Sequence, residues 1–389
     1  INAKDKVPFK IFDKKNAEKL FGKNLNISAS QLEKFNLCRF SYFCNYGLNV
    51  RERQRAEINP MQYGTIVHYI LERFFGEYTK EEYLSLEEDK FQKIVCAYLA
   101  EYAVKYFGEE QLESNSFTYR LKTILDNVMY LMKHIMEELS QSEFFVADCE
   151  LKIGEDIPSY TIVLPDGHKI AVCGSVDRVD IMQRADITYL RIIDYKTGTK
   201  QFKLSDILYG INLQMLLYLH SIEASGGDKY GEIVPAGILY MPATVPYISS
   251  DSLKSIDKLP DELNKKLKMN GLLLKDTEII HGMDKTDAAT YIPVKIKAGE
   301  PVSSTSLATL AEFGKIFKKV DMLIAEMGKN IYNGNIEAKP LKGGHDSCEY
   351  CPYDSVCAYR QSNPITCFSV DNKTVIEEIT NEINGKEEE

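Results

Sequence analysis

The apolar positions of this chain fall into two regimes. Up to about residue 142 they recur every three or four residues, the spacing of one helix face. From about residue 144 they shorten into runs rich in β-branched and aromatic residues. Ser30, followed by Glu33, is a capping-box pattern. It opens a helix carrying Leu32, Phe35 and Cys38 and ending near Gly47. Asn59-Pro60 starts the next helix, on which Gly64, His68, Leu71, Glu72 and Phe75 recur at helical spacing. Residues 80–107 and 116–141 read as two further helices, the second with an apolar stripe from Leu121 to Ile135.

Residues 144–153, 160–164 and 169–172 predict strands, with Pro165-Asp166-Gly167 as turn chemistry. Residues 175–182 and 189–195 predict a strand pair around Arg184-Ala185-Asp186. Residues 204–222 read as a helix, 233–241 as a strand and 307–331 as a long helix. The fold class expected is α/β (α+β), a mixed central sheet flanked by helices. Its parts are a lead-in linker (1–26), a helical part (27–142), a core (143–241), an irregular insertion or lid (242–300), a C-terminal helix with a cysteine motif (301–360) and a tail (361–389). The tail ends in Glu387, Glu388 and Glu389 and is expected to fray. No P-loop pattern is present, so no ATP-driven motor is visible in this stretch.

Composition narrows the classes. No apolar run reaches the roughly 18 residues of a membrane span, so a membrane partner is not expected. The chain opens on Ile1 rather than Met, which points to a piece of a longer protein. Nine cysteines, an odd number with no secretory signal, point to a reducing, cytoplasmic compartment. The net charge of −10 weighs mildly against a nucleic-acid partner, yet a total does not locate charge. Local basic runs exist at Arg51, Arg53 and Arg55, at Lys265, Lys266 and Lys268, and at Lys315, Lys318 and Lys319. Taken singly, each reads as a solvated face.

The chemistry concentrates in Gly174-Ser175-Val176-Asp177-Arg178-Val179-Asp180 and Ile192-Ile193-Asp194-Tyr195-Lys196-Thr197-Gly198. Alternation along a strand puts Asp194 and Lys196 on one face and Tyr195 on the other. An antiparallel neighbour can set Asp177 beside Asp194. Two converging carboxylates repel unless a cation lies between them, and hard oxygen ligands suit Mg²⁺ or Mn²⁺. A nearby lysine can orient water and offset charge on a phosphoryl oxygen, which is the equipment for phosphodiester hydrolysis. The plain alternative is a surface hairpin with an Asp–Lys ion pair, but the preceding apolar run predicts burial, where charges need partners or a metal.

These two stretches, with Gln214 and Tyr218 on the following helix, resemble the RecB-type branch of the PD-(D/E)XK nucleases. The resemblance implies a restriction-endonuclease-like core with Asp177, Asp194 and Lys196 as its active centre and the Tyr195 carbonyl as a metal ligand. Gly64-x-x-x-His68-x-x-x-Glu72 is similar to that branch's upstream helix, which makes His68 a metal ligand and Glu72 a candidate to orient it. Gln214 and Tyr218 either pack the helix on the sheet or touch DNA phosphate or Lys196.

Cys348-x-x-Cys351 with Cys357 sets three thiols at ligand spacing, one short of a closed site for Zn²⁺ or an iron–sulfur cluster. Cys38 is the candidate fourth, joining the first helix to the last segment. Cys44 and Cys367 read as ordinary thiols. The arrangement resembles the iron-stapled nuclease domains of AddB-type helicase–nuclease subunits, which hold a [4Fe–4S] cluster. Leu272-Leu273-Leu274-Lys275-Asp276 is similar to that family's insertion, whereas Ala358-Tyr359 departs from its usual Gly-Phe. The resemblance implies an exonuclease on single-stranded DNA or duplex ends, fed by a helicase and a partner subunit in recombinational break repair. The alternative is an inert DNA-binding scaffold held by the same cluster.

Overall fold

A computed structural model describes residues 10–11, 13–51, 60–108, 114–198, 200–246, 259–286, 288–303, 305–357, 359 and 364–387. Arg53, Arg55, Asn59, Ala358, Glu388 and Glu389 lie outside them. The strands are β1 Asn24–Ile27, β2 Phe145–Ile153, β3 Thr161–Val163, β4 Lys169–Val172, β5 Gly174–Arg184, β6 Ile187–Lys196, β7 Glu232–Pro242, β8 Asn270–Leu274, β9 Lys295–Lys297, β10 Glu300–Val302, β11 Leu307–Ala308, β12 Leu341–Gly343 and β13 Ile365–Cys367. The helices that matter below are α1 Lys14–Phe21, α2 Ala29–Leu37, α3 Pro60–Glu77, α4 Glu88–Phe107, α5 Asn115–Gln141, α6 Gln214–Ser225, α7 Leu310–Tyr332 and α8 Asn372–Glu387.

The mixed central sheet runs β11-β8-β7-β6-β5-β2, with β6 and β7 parallel and β5 antiparallel to both β6 and β2. The β5–β6 hairpin closes at Ala185-Asp186, where Ala185 takes a left-handed φ of 50°. That turn pins the register, because a one-residue slip would move every side chain to the opposite face. On one side Arg178, Asp180 and Arg191 point toward α3 and α5. On the other side α6 packs, almost wholly buried from Met215 to Ile222.

Several elements depart from the sequence expectations. The first helix is capped by Ser28, whose side chain accepts from Gln31 N, and it ends at Leu37 because Cys38 is extended (φ −169°, ψ 116°). Glu33, expected to close that cap, instead accepts from Leu213 N at 2.8 Å and so caps α6. The lead-in is part of the domain: β1 pairs in parallel with β4. The segment 242–300 is not a mere insertion, since β8 joins the central sheet beside β7 with Leu272 and Leu273 fully buried. The tail is docked: Val375, Ile379 and Ile383 of α8 are buried, and Lys319 of α7 donates to Glu382 at 2.6 Å. Of the basic runs, Lys319 and Lys268 are therefore structural, Lys268 donating to the carbonyls of Ala289 and Val294.

Behind the β5–β6 hairpin lies a buried, charge-balanced quartet. Arg178 donates to both carboxylate oxygens of Asp180 at 2.6 Å and to Glu138 at 3.2 Å. Arg191 donates to Asp180 at 3.0 Å and to Glu138 at 2.6 Å. The guanidiniums also face rings, Arg178 over Phe75 at 5.8 Å and Arg191 over Phe144 at 4.8 Å. Each carboxylate serves both arginines, so removing one leaves buried positive charge without compensation. Glu138→Leu is expected to destabilise the domain by about 3–5 kcal/mol, read from chemical denaturation; a loss under about 1 kcal/mol would refute this role.

His220 of α6 is held by Asp321 at 3.0 Å and stacks on Phe317. Burial alone would lower its pKa, but hydrogen bonds to Asp321 and Glu223 outweigh burial and raise it to about 9. A pKa raised on folding stabilises fully below the ordinary value of 6.5 and is lost as pH rises through about 9. The melting-temperature gap between the native chain and His220→Gln is expected to shrink from pH 6.5 to above 9.

Candidate active site

The register Arg178 opposite Ile193 carries Asp177 to the side of Asp194 at the end of the hairpin. There Asp177 accepts from the backbone N–H of Tyr195 at 2.9 Å. Asp194 is 2% exposed. Its Oδ2 lies 2.5 Å from the Lys196 ammonium, and its Oδ1 accepts from Gln214 Nε2 at 3.2 Å. Tyr195 points the other way, its ring buried and edge-on to His68.

Helix α3 crosses this end of the sheet, with Gly64 against Thr197. One turn on, His68 Nε2 stands 3.6 Å from Asp177 Oδ2. Its Nδ1 is 2.8 Å from Glu150 Oε1, and Glu150 Oε2 accepts from Ser175 at 2.8 Å. His68, Glu150 and Asp177 each turn one ligand atom inward, all within 4.8 Å of one another. Glu150 takes the place expected of Glu72, which is exposed. A residue one turn along α3 is carried toward solvent, whereas β2 sets Glu150 across from Asp177. The backbone of Glu150 is left-handed, with φ 52°, an uncommon conformation in a strand and one that aims its carboxylate at His68. The signal for Glu150 in the sequence was a carboxylate inside the strand predicted at 144–153.

The electrostatics are those of a cation site. Burial, then the neighbouring Asp194, pushes the Asp177 carboxyl up to about 7, against the pull of His68 and the Tyr195 N–H. Burial alone would lower His68, but Glu150 and Asp177 outweigh it and raise its pKa. Carboxylates crowded this closely are eased by a positive ion between them. Their oxygens with one imidazole suit a hard divalent cation.

Burial raises the pKa of the Tyr218 phenol, with Asp177 and Asp194 among the nearby charges that raise it further. Tyr218 is 5% exposed, and its phenol fills the space that a side chain on Gly174 would need. Gln214 reaches the site through Asp194, and Tyr218 lies against Gly174 at the start of β5.

A second constellation is made of thiols. Cys38, at the break after α2, lines a cavity of about 130 Å³ with Cys348, Cys351 and Cys357. All four thiols are free. Burial raises Cys38, and Cys357 and Cys351 raise it further. Cys44 packs in the same small core as Cys38, Cys351 and Cys357. Tyr353, buried among them, donates to the carbonyl of Val50 at 2.7 Å. Four soft donors around one apolar cavity suit Zn²⁺ or an iron–sulfur cluster. Cys367 lies elsewhere, beside Leu341 and Ile211.

A family model described as the PD-(D/E)XK nuclease superfamily matches residues 26–358. The chain is 34% identical over 354 residues to an "ATP-dependent helicase/deoxyribonuclease" subunit of Thermoanaerobacter sp. (strain X514), covering 88% of this chain and 30% of that protein. It is 35% identical over 397 residues to the protein of the same name from Clostridium kluyveri (strain NBRC 12016), covering 98% of this chain and 34% of that protein. The chain thus spans about a third of the length of the curated relatives it matches.

Proposed function

Because the chain belongs to the PD-(D/E)XK nuclease superfamily, a family of metal-dependent nucleases, we propose that it is the DNA-cleaving domain of a helicase–nuclease subunit. Its substrate is single-stranded DNA at broken duplex ends, delivered by a helicase and a partner subunit, in recombinational repair. The observation that carries the reading is the convergence of His68, Glu150, Asp177, Asp194 and Lys196 at one end of one hairpin. The name of the relatives supports the DNA substrate and the subunit context.

His68, Asp177, Asp194 and the Tyr195 carbonyl are the residues that would hold Mg²⁺ or Mn²⁺. Such an ion supplies a Lewis acid and lowers the pKa of bound water. Glu150 fixes the ring of His68 through Nδ1, leaving Nε2 facing Asp177. Lys196 brings an ammonium to the same point, ready to donate to a phosphoryl oxygen as negative charge builds. Gln214 holds one oxygen of Asp194 and so sets the orientation of that carboxylate. Tyr218 positions α6, and with it Gln214, against β5.

Cys38, Cys348, Cys351 and Cys357 would hold a [4Fe–4S] cluster that ties α2 to the C-terminal segment. The support is the shared cavity and the purely sulfur donor set.

Asp177→Ala and Lys196→Ala are each expected to lower Mg²⁺-dependent degradation of single-stranded DNA by about 10²–10³-fold or more. Glu150→Gln, acting through His68, is expected to raise the Mn²⁺ concentration for half-maximal activity by about 10–100-fold. Full activity in the Asp177 or Lys196 variant would refute the nuclease assignment. The purified chain is expected to be brown, with broad visible absorbance and stoichiometric iron and sulfide, both lost in Cys38→Ser. A colourless protein holding zinc would exclude the cluster.

A further inference from the structure

Lys200, four residues beyond Lys196, carries an ammonium beside the candidate site that the catalytic reading leaves unused. Its backbone is clamped by Asn270, at the start of β8. Asn270 Nδ2 donates to the Lys200 carbonyl at 3.1 Å, and its Oδ1 accepts from Phe202 N at 2.7 Å. Lys200 N also donates to the Gly198 carbonyl at 3.1 Å. The loop that carries Lys200 is therefore anchored to the central sheet.

Its side chain lies over Tyr240, with Nζ 5.0 Å from the ring centroid. Lys196 Nζ lies 5.8 Å from the same centroid. Tyr240 is 1% exposed and pairs with Asp194 in the β6–β7 register, so the ring is a fixed platform beside the acids. Two ammonium groups share it. Lys196 is matched by Asp194 at 2.5 Å. Among the described residues, Lys200 has no carboxylate within ion-pair distance. Burial lowers its pKa, an effect that nearby Glu33, Asp194 and Asp206 oppose. A half-buried ammonium is costly without an anion, and here it is kept in place and kept unpaired.

We propose that Lys200 binds a phosphate next to the scissile one, so that Lys196 and Lys200 grip neighbouring phosphates of one strand across Tyr240. Lys196 acts on the reacting group. Lys200 is a substrate-binding residue that sets which phosphodiester reaches Asp177 and Asp194. Phosphate contacts of this kind fix register without reading sequence. The inference rests on the nuclease reading above.

The test uses the full chain, single-stranded oligonucleotides and Mg²⁺. Lys200→Met is expected to raise KM about tenfold, the equivalent of one charge-assisted contact, with a smaller change in kcat. The dependence of log(kcat/KM) on log salt is expected to flatten by about 0.7, the value for one phosphate on a single strand. Lys200→Arg is expected to keep most of the affinity. A neutral methylphosphonate is then placed in turn on either side of the scissile position. At one of these positions it is expected to impair the native chain and to leave Lys200→Met unaffected, the non-additivity of two groups that touch. A native chain that cleaves, with a Lys200→Met variant of unchanged KM and salt slope, would overturn the inference alone. Equal methylphosphonate penalties in both proteins would also overturn it. A native chain that fails to cleave would overturn the nuclease reading instead. Matching melting curves for Lys200→Met and Lys200→Arg separate lost binding from lost fold.

Discussion

Every feature of the candidate site depends on the register of the β5–β6 hairpin. The pairing that sets Arg178 opposite Ile193 brings Asp177 beside Asp194 on one face. The same pairing brings Arg178, Asp180 and Arg191 together on the other face, where Glu138 of α5 completes a neutral quartet. A slip of one residue would exchange the faces, burying the acids without partners and exposing the arginines. The quartet makes that slip costly, because four charges buried from water are compensated only in this register. The pair of acids that repel each other is thus held together by charges behind the sheet that attract.

Around this hairpin the chain uses contacts between distant segments to hold the site's edges. Glu33 of α2 caps α6 at Leu213, and α6 presents Gln214 to Asp194 and Tyr218 to Gly174. Asn270 of β8 clamps the loop that carries Lys200. Helix α3 brings His68 across the sheet end, where Glu150 meets it from β2. Most of these are polar contacts set beside apolar packing, so the packing carries the stability and the polar contacts carry the geometry. The cysteine cavity works at larger scale, setting Cys38 among residues from the opposite end of the chain.

Sequence reasoning reached the pieces that repeat with a local period. The strand boundaries of β5 and β6 came within two residues, and alternation along β6 assigned Asp194 and Lys196 to one face and Tyr195 to the other, as found. It failed where the partner of a residue is remote. Ser30 and Glu33 spell a local capping box, yet Glu33 caps another helix and Ser28 takes the cap. Glu72 is the local neighbour of His68, yet the carboxylate that reaches the ring is Glu150. The stretch around β8 looked irregular because its five residues are flanked by polar segments, although they complete the central sheet. The acidic tail looked free because its net charge hides the buried Val375, Ile379 and Ile383.

The sequence by itself determined the chemistry of the protein: two acids, a lysine, a histidine and a set of thiols at telling spacings, on elements whose type follows from apolar periodicity. Spacing of this kind is local, and local geometry depends on backbone angles that neighbouring residues set. Only the tertiary structure decided which carboxylate orients His68, which lysines share the ring of Tyr240, and that Arg178 and Asp180 serve the sheet's far face. Those choices depend on distances between segments far apart in the chain, set by packing and register summed over the whole domain, and no short window of residues contains them.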